Sequence, residues 1–267
     1  MEIRLLPGVM PAKVIEVLRD QAMGMDNVRS YPDVLDAYLR WADDAHRQLA
    51  RLLVPALVER LVESPRYWVL LHLRDGAGDA RTLHQLINRE VESHRRVFDE
   101  MIFDLETVQR RWLRYSGLIV VPDTNVFLHH EHTFDYICWP DAVGTGSIVH
   151  LVIPLVVINE LDRHKRTKNS TRARDTLRRI NRYLTNPDAV VDLPTSEEGR
   201  RPTTLEVLVD PLDHVRLSDA DSEIVDRALY IAGISGRDVA VATCDTGMHL
   251  LAKTHHLRTV DLTDTAQ

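Results

Sequence analysis

The sequence predicts an all-α N-terminal region, a helical hairpin or bundle over residues 1–115, ahead of an α/β domain over 117–262 with a mainly parallel central sheet; residues 263–267 form a tail. Three observations predict it. Up to Ser116-Gly117 the apolar residues recur at helical spacing with almost no strand signal. Beyond Gly117 short apolar runs alternate with helical stretches, as they do where strands feed helices. The 267 residues, 44% hydrophobic and 27% charged, suit one large or two modest globular domains and are too apolar for a disordered chain.

In chain order, one apolar stripe runs through Val34, Tyr38, Trp41, Ala45, Leu49, Leu52 and Ala56. Ser30 is its expected cap, Pro32 fits the first turn, and Pro55 is expected to kink the helix without ending it. Asp75-Gly76-Ala77-Gly78 reads as a turn. A longer helix then runs from a cap at Asp79 to Tyr115, about 55 Å at 1.5 Å per residue. Its seam, Leu83, Ile87, Val91, Phe98, Met101, Leu105, Val108 and Trp112, advances in steps of three and four, with His94 filling the one gap as a specificity element. Two such helices with a short connection predict an antiparallel hairpin, and the apolar seam allows a homodimer. In the second half, strands are expected at Leu118–Val121, His150–Ile153, Val190–Leu193, Val239–Ala242 and Thr259–Leu262, with Thr203–Val209 as an extra one. Helices are expected at Leu155–His164, Thr171–Leu184, Ala220–Ile231 and Thr246–Lys253, and Pro194–Pro202 as a polar loop.

Composition removes several function classes. Lys+Arg 33 against Asp+Glu 40 leaves a net charge of −7, so the chain is not basic overall. Cys138 and Cys244 cannot make a disulfide framework and match no zinc spacing. The opening residues lack the pattern of a secretion signal. The longest stretch without charge, Ala142 to Asn159, carries Gly144, Gly146, His150 and Pro154 and reads as a turn and buried strand. A soluble, cytoplasmic protein without a membrane partner is the expectation.

Ligand sites in open α/β sheets gather beyond the carboxyl ends of the strands. There the sequence places Asp123 after the first apolar run, Glu160 in the helix after His150–Ile153, Asp221 in a first helical turn and Asp245 after Val239–Ala242. Singly, an Asp after a strand reads more readily as a turn or cap residue, Asp219 and Asp221 could both cap their helix, and Glu160 alone could be a surface residue. Together they form a cluster. Two carboxylates ~4 Å apart repel by about 4 kcal/mol at an effective dielectric near 20, so such a cluster raises its pKa values or recruits a cation. An all-oxygen donor set suits Mg²⁺ or Mn²⁺ and not Zn²⁺.

These residues also carry a resemblance. Val121-Pro122-Asp123-Thr124-Asn125-Val126-Phe127-Leu128 resembles the opening motif of PIN-domain ribonucleases. Ile158-Asn159-Glu160-Leu161-Asp162-Arg163-His164-Lys165 is similar to the glutamate helix of the larger, PhoH-like branch. Asp221-Ser222-Glu223-Ile224 and Thr243-Cys244-Asp245-Thr246-Gly247-Met248 match the third and fourth motifs, in order. The resemblance covers roughly 117–262 and implies a three-layer PIN-like fold. It further implies endoribonuclease activity, with Asp123, Glu160, Asp221 and Asp245 holding one or two Mg²⁺ or Mn²⁺ ions and a metal-activated water cleaving the phosphodiester. Asn125 and Thr243 would be supporting polar residues. The chain reads Gly247-Met248-His249 where some members carry a fifth acid, a role left to Asp219 or Glu223.

From Gly117 onward there are 16 basic and 22 acidic residues, yet nine of the basic ones fall between Arg163 and Arg182, opposed by Asp175 alone. Lys165, Arg166, Lys168, Arg172, Arg174, Arg178 and Arg179 follow directly on Glu160 and are the expected RNA-binding residues, although a solvated or salt-bridged face is the competing reading. With Tyr183 the one aromatic nearby, backbone contact is expected over base reading. His129-His130-Glu131-His132 reads as mostly solvent-exposed, since adjacent helical residues point apart. The alternatives to an RNase are a DNA-directed or structure-specific nuclease on the same acids, or a non-catalytic PIN scaffold. A toxin with a cognate inhibitor is compatible with the residues but not indicated by them.

Overall fold

The computed structural model describes residues 2–73, 80–144, 148–166, 170–184, 190–194 and 203–263. The chain divides into two compact units: a helical one of residues 3–112 with 233–236, and an α/β one of Glu2, 113–232 and 237 onward.

The helical unit contains α1 (Pro11–Val28), α2 (Val34–Leu49), α3 (Pro55–Val62), α4 (Pro65–His72) and α5 (Ala80–Leu113). Pro11, Pro55 and Pro65 stand in the opening turns of α1, α3 and α4, where the missing N–H costs nothing. This corrects the expectation for Pro55. The helix before it stops at Leu49, residues 50–54 turn back so that Leu53 bridges Leu5, and Pro55 starts a new helix. Asp33, not Ser30, caps α2, its carboxylate accepting the Asp36 N–H at 3.0 Å. The antiparallel hairpin is also corrected. Tyr38 and Trp41 of α2 meet His94 and Phe98 of α5 in the same order, so these two helices run parallel. With α3 and α4 intervening, α2 and α5 are no longer joined by a short turn. It is α1 that runs antiparallel to α5, through Arg29–Glu92, Asp26–Arg95 and Arg19–Glu106.

Ile87, Val91, Phe98, Met101 and Leu105 are buried in this unit's core with Leu18, Met25, Tyr38 and Leu49. The stripe that suggested a homodimer is therefore covered within the chain. His94 is buried too, its Nδ1 2.9 Å from the Leu61 carbonyl and its Nε2 3.1 Å from both the Tyr38 hydroxyl and Glu90. Burial acts to raise the Glu90 carboxyl, but hydrogen bonds from His94, Ser64 and Arg66 hold it down at about 2. The expected cap Asp79 and turn Asp75–Gly78 lie outside the described residues.

The α/β unit runs β1 (Leu118–Pro122), α6 (Thr124–His129), α7 (Trp139–Ala142), β2 (Val149–Pro154), α8 (Leu155–His164), α9 (Ser170–Tyr183), β3 (Val191–Leu193), β4 (Thr203–Leu208), α10 (Ala220–Ser235), β5 (Val239–Thr243), α11 (Thr246–Thr254) and β6 (Arg258–Asp261). Among the described residues the strands form one sheet in the order β3-β4-β2-β1-β5-β6, parallel except for β3 against β4. β1, β2 and β5 are buried along their whole length, as parallel strands covered on both faces must be, which explains their unbroken apolar runs. Gly117 admits the chain to β1. Its φ is +99°, and a Cβ there would come within 1.9 Å of the Ile148 carbonyl oxygen. From β1 the chain moves to β2 and β4 on one side and returns to β5 on the other. The crevice for a ligand therefore lies at the carboxyl ends of β1 and its neighbours. No helix among the described residues is long and apolar enough to cross a membrane.

Candidate active site

Asp123 follows β1 directly. Its N–H bonds the Ala242 carbonyl of β5 at 2.8 Å, which continues the ladder and fixes the carboxylate between the two strands with 1% exposure. Thr243, the last residue of β5, donates its hydroxyl to Asp123 Oδ2 at 2.9 Å and accepts the Asp245 N–H at the same distance. One buried hydroxyl thus ties the ends of β1 and β5. Asp245 caps α11, with Oδ1 accepting the N–H groups of Gly247 at 2.6 Å and Met248 at 3.1 Å. Glu160 comes from α8, and its Oε2 accepts the Thr124 hydroxyl at 2.6 Å. Asp221 lies in the first turn of α10. Asp219 precedes that helix as its cap, accepting the Ser222 N–H at 2.9 Å and hydroxyl at 2.7 Å, which hold its carboxyl below the usual range.

The acids share one electrostatic field. Burial raises the Asp221 carboxyl, and the charges of Asp219, Glu160 and Asp245 raise it further. Burial pushes Asp123 up to about 6; repulsion from Asp221 adds to this, while Thr243 and the backbone N–H groups of Asn125 and Thr124 oppose it. Asn125 thus acts on Asp123 through its backbone. Asp219 enters as a helix cap and a source of charge.

The donor set consists of oxygens that repel one another, the condition a hard divalent cation relieves. The array is open. Among the described residues the trio whose ligand atoms all lie within 4.8 Å is Asp210, His214 and Glu223, not any three of the four acids. Such openness fits a cation that keeps several waters and takes one or two carboxylates, and it does not fit a closed tetrahedral zinc site. The compact trio has its own counterions. His214 lies 2.7 Å from Glu223 and 3.2 Å from Glu2, Arg216 bonds Asp210 at 2.7 Å, and the fully buried Arg227 lies 2.6 Å from both Glu2 and Asp226. Glu223 is therefore engaged inside this buried network, with His214 and Arg227 as its partners.

Two of the expected RNA-binding residues are engaged within the chain. Arg172 donates to the carbonyls of Phe127 (3.1 Å), His130 (2.7 Å) and His132 (2.5 Å), clamping the turn after α6. Arg179 bonds Asp135 at 2.7 Å and lies over the Tyr136 ring. Both are half-buried, because α9 packs this side against α6 and its loop. Lys165 pairs with Asp162, Arg178 with Asp175, and Arg174 reaches the Lys165 carbonyl; Arg166, Arg174 and Arg178 are exposed. Lys168 lies outside the described residues. Of the histidine run, His129 and His132 are exposed, but His130 is buried, its Nδ1 accepting the His132 N–H.

Sequence reading passes over Thr124 and the Glu2–His214–Arg227 network. Thr124 stands between two motif residues, a signal that could have singled it out. The network joins residues more than 200 positions apart, which no local pattern reveals.

The family model of the PIN domain matches residues 120–263, more than half of the chain. No curated protein matches it. PIN domains are typically nucleases that use divalent metal ions.

Proposed function

This chain belongs to the PIN domain family, and from that premise we propose that it hydrolyses RNA phosphodiester bonds with Mg²⁺ or Mn²⁺ held by Asp123, Glu160, Asp221 and Asp245. The observation that carries the reading is the convergence of the acids: Thr243 bonds both Asp123 and Asp245, Thr124 bonds Glu160, and the Asp221 carboxyl is raised by burial and then by the charges of Asp219, Glu160 and Asp245. Four carboxylates from four separate segments gain nothing for the fold by repelling one another.

When bound, the cation offsets this charge and lowers the pKa of a water at the scissile phosphate. The chain's own residues prepare the place. Thr243 holds Asp123 and Asp245 in fixed relation, Thr124 holds Glu160, and the N-terminus of α11 fixes the Asp245 carboxylate. No side-chain nucleophile is needed. The adjacent Cys244 thiol is pushed up to about 11 by burial and by the charges of Asp123 and Asp261, so it stays protonated and inert at neutral pH. Lys165, Arg166, Arg174 and Arg178, which follow Glu160 in the chain, supply cations for the phosphate backbone.

The test is incubation of the pure protein with end-labelled single-stranded RNA and DNA of one sequence, in Mn²⁺, Mg²⁺ or EDTA. The proposal expects cation-dependent internal cleavage of RNA. Cleavage of DNA alone would replace it with a DNA-directed nuclease, and no cleavage of either with a binding scaffold.

A further inference from the structure

Three of the four carboxylates reach the site with one oxygen already engaged. Asp123 Oδ2 accepts the Thr243 hydroxyl, Asp245 Oδ1 accepts two backbone N–H groups, and Glu160 Oε2 accepts the Thr124 hydroxyl at 2.6 Å. Thr124 makes its bond from a buried position, 4% exposed, in the first turn of α6. Its neighbour Asp123 belongs to the same cluster, so the hydroxyl acts from inside the site.

Resting on the cation-binding reading of the four acids, we propose that Thr124 is a positioning residue that sets cation selectivity, turning Glu160 into a one-oxygen ligand and biasing the site against Ca²⁺. The physical reason lies in how the ions take carboxylates. Ca²⁺ gathers six to eight oxygens at about 2.3–2.6 Å and often takes both oxygens of a carboxylate, whereas Mg²⁺ holds six at about 2.0–2.1 Å in strict octahedral geometry and keeps much of its water. For Glu160 to present both oxygens, Oε2 must serve the cation and the Thr124 hydroxyl together, and the two positive partners compete for the charge of one oxygen. A hydrogen bond to a charged group is worth about a factor of ten in an equilibrium, so the penalty falls on Ca²⁺ and spares an ion content with one oxygen. Thr243 and the α11 terminus impose the same restriction on Asp123 and Asp245.

The experiment uses the full chain, titrated calorimetrically with Mn²⁺ and with Ca²⁺, as wild type, Thr124→Val and Thr124→Ser. The wild type is expected to favour Mn²⁺. In Thr124→Val, which keeps the shape and removes the hydroxyl, the ratio of the Ca²⁺ to the Mn²⁺ dissociation constant is expected to fall about tenfold. Thr124→Ser is expected to restore the wild-type ratio. An unchanged ratio in Thr124→Val, or a serine variant that behaves like valine, would overturn the proposal while leaving the cation site standing. A wild type that binds neither ion would overturn both. If Thr124→Val does not fold, Thr243→Val carries the test, since it frees Asp123 Oδ2 and must move the ratio the same way.

Discussion

Replacing Asp123 by Asn should remove a pH dependence from the stability of the metal-free protein. The Asp123 carboxyl is pushed from its ordinary 3.8 up to about 6, chiefly by burial. Between these values the folded chain keeps a proton that the unfolded chain has lost. More protons are then bound in the folded state, and stability falls as pH rises through that window. About two pKa units at 1.36 kcal/mol each set the loss near 3 kcal/mol by neutral pH. Asn cannot ionise, so Asp123→Asn should lack this decline. Urea unfolding of both proteins, free of metal, from about pH 4 to about pH 7 measures it. Because slopes against pH are compared, any constant cost of the buried amide cancels. Parallel slopes would show that Asp123 titrates normally, and the shared-field account would fail.

Millimolar Mn²⁺ should stabilise the wild type by about 2.7 kcal/mol once it exceeds its dissociation constant a hundredfold, and by less in Asp221→Asn; equal shifts would place the ion elsewhere. Arg227→Met should cost about 3–5 kcal/mol in urea unfolding, because Glu2, Glu223 and Asp226 lose the buried cation that answers them. A loss below ~1 kcal/mol would mean that water reaches those carboxylates. Replacing Arg166, Arg174 and Arg178 by Gln should lower the salt slope of single-strand RNA affinity by about 2, at roughly 0.7 per lost phosphate contact, with stability unchanged. Arg172→Gln should do the reverse, lowering stability and sparing the slope, as a urea midpoint and a filter-binding series would show.

The α/β half is legible because its signals are local. Leu118–Pro122 and Val239–Ala242 are unbroken apolar runs, the first followed at once by Asp123 and the second by Asp245 after Thr243 and Cys244, and buried parallel strands produce such runs. The acids are legible for the same reason, since the carboxyl end of a strand is a position in sequence as well as in space. The helical half is less so. Its stripes give the helices, but whether α5 runs parallel or antiparallel to α2 depends on α3 and α4, whose start at Pro55 reads from sequence as a kink. α1 goes unread although Val14, Leu18, Ala22 and Met25 recur at helical spacing, because Met23 and Gly24 blur its apolar face. The basic run of α9 shows what one-dimensional charge cannot show. Arg172 and Arg178 look alike in sequence, yet one clamps three carbonyls and the other lies exposed.

The central claim is that Asp123, Glu160, Asp221 and Asp245 act as one cation-dependent site on RNA. The most direct measurement is the single-turnover cleavage rate of labelled RNA in saturating Mn²⁺ by the wild type and by Asp123→Asn, Glu160→Gln, Asp221→Asn and Asp245→Asn, each first verified as folded. The account predicts that every one of the four falls by about two orders of magnitude or more, the scale of removing a group that acts in the transition state. A variant that cleaves at the wild-type rate would contradict it.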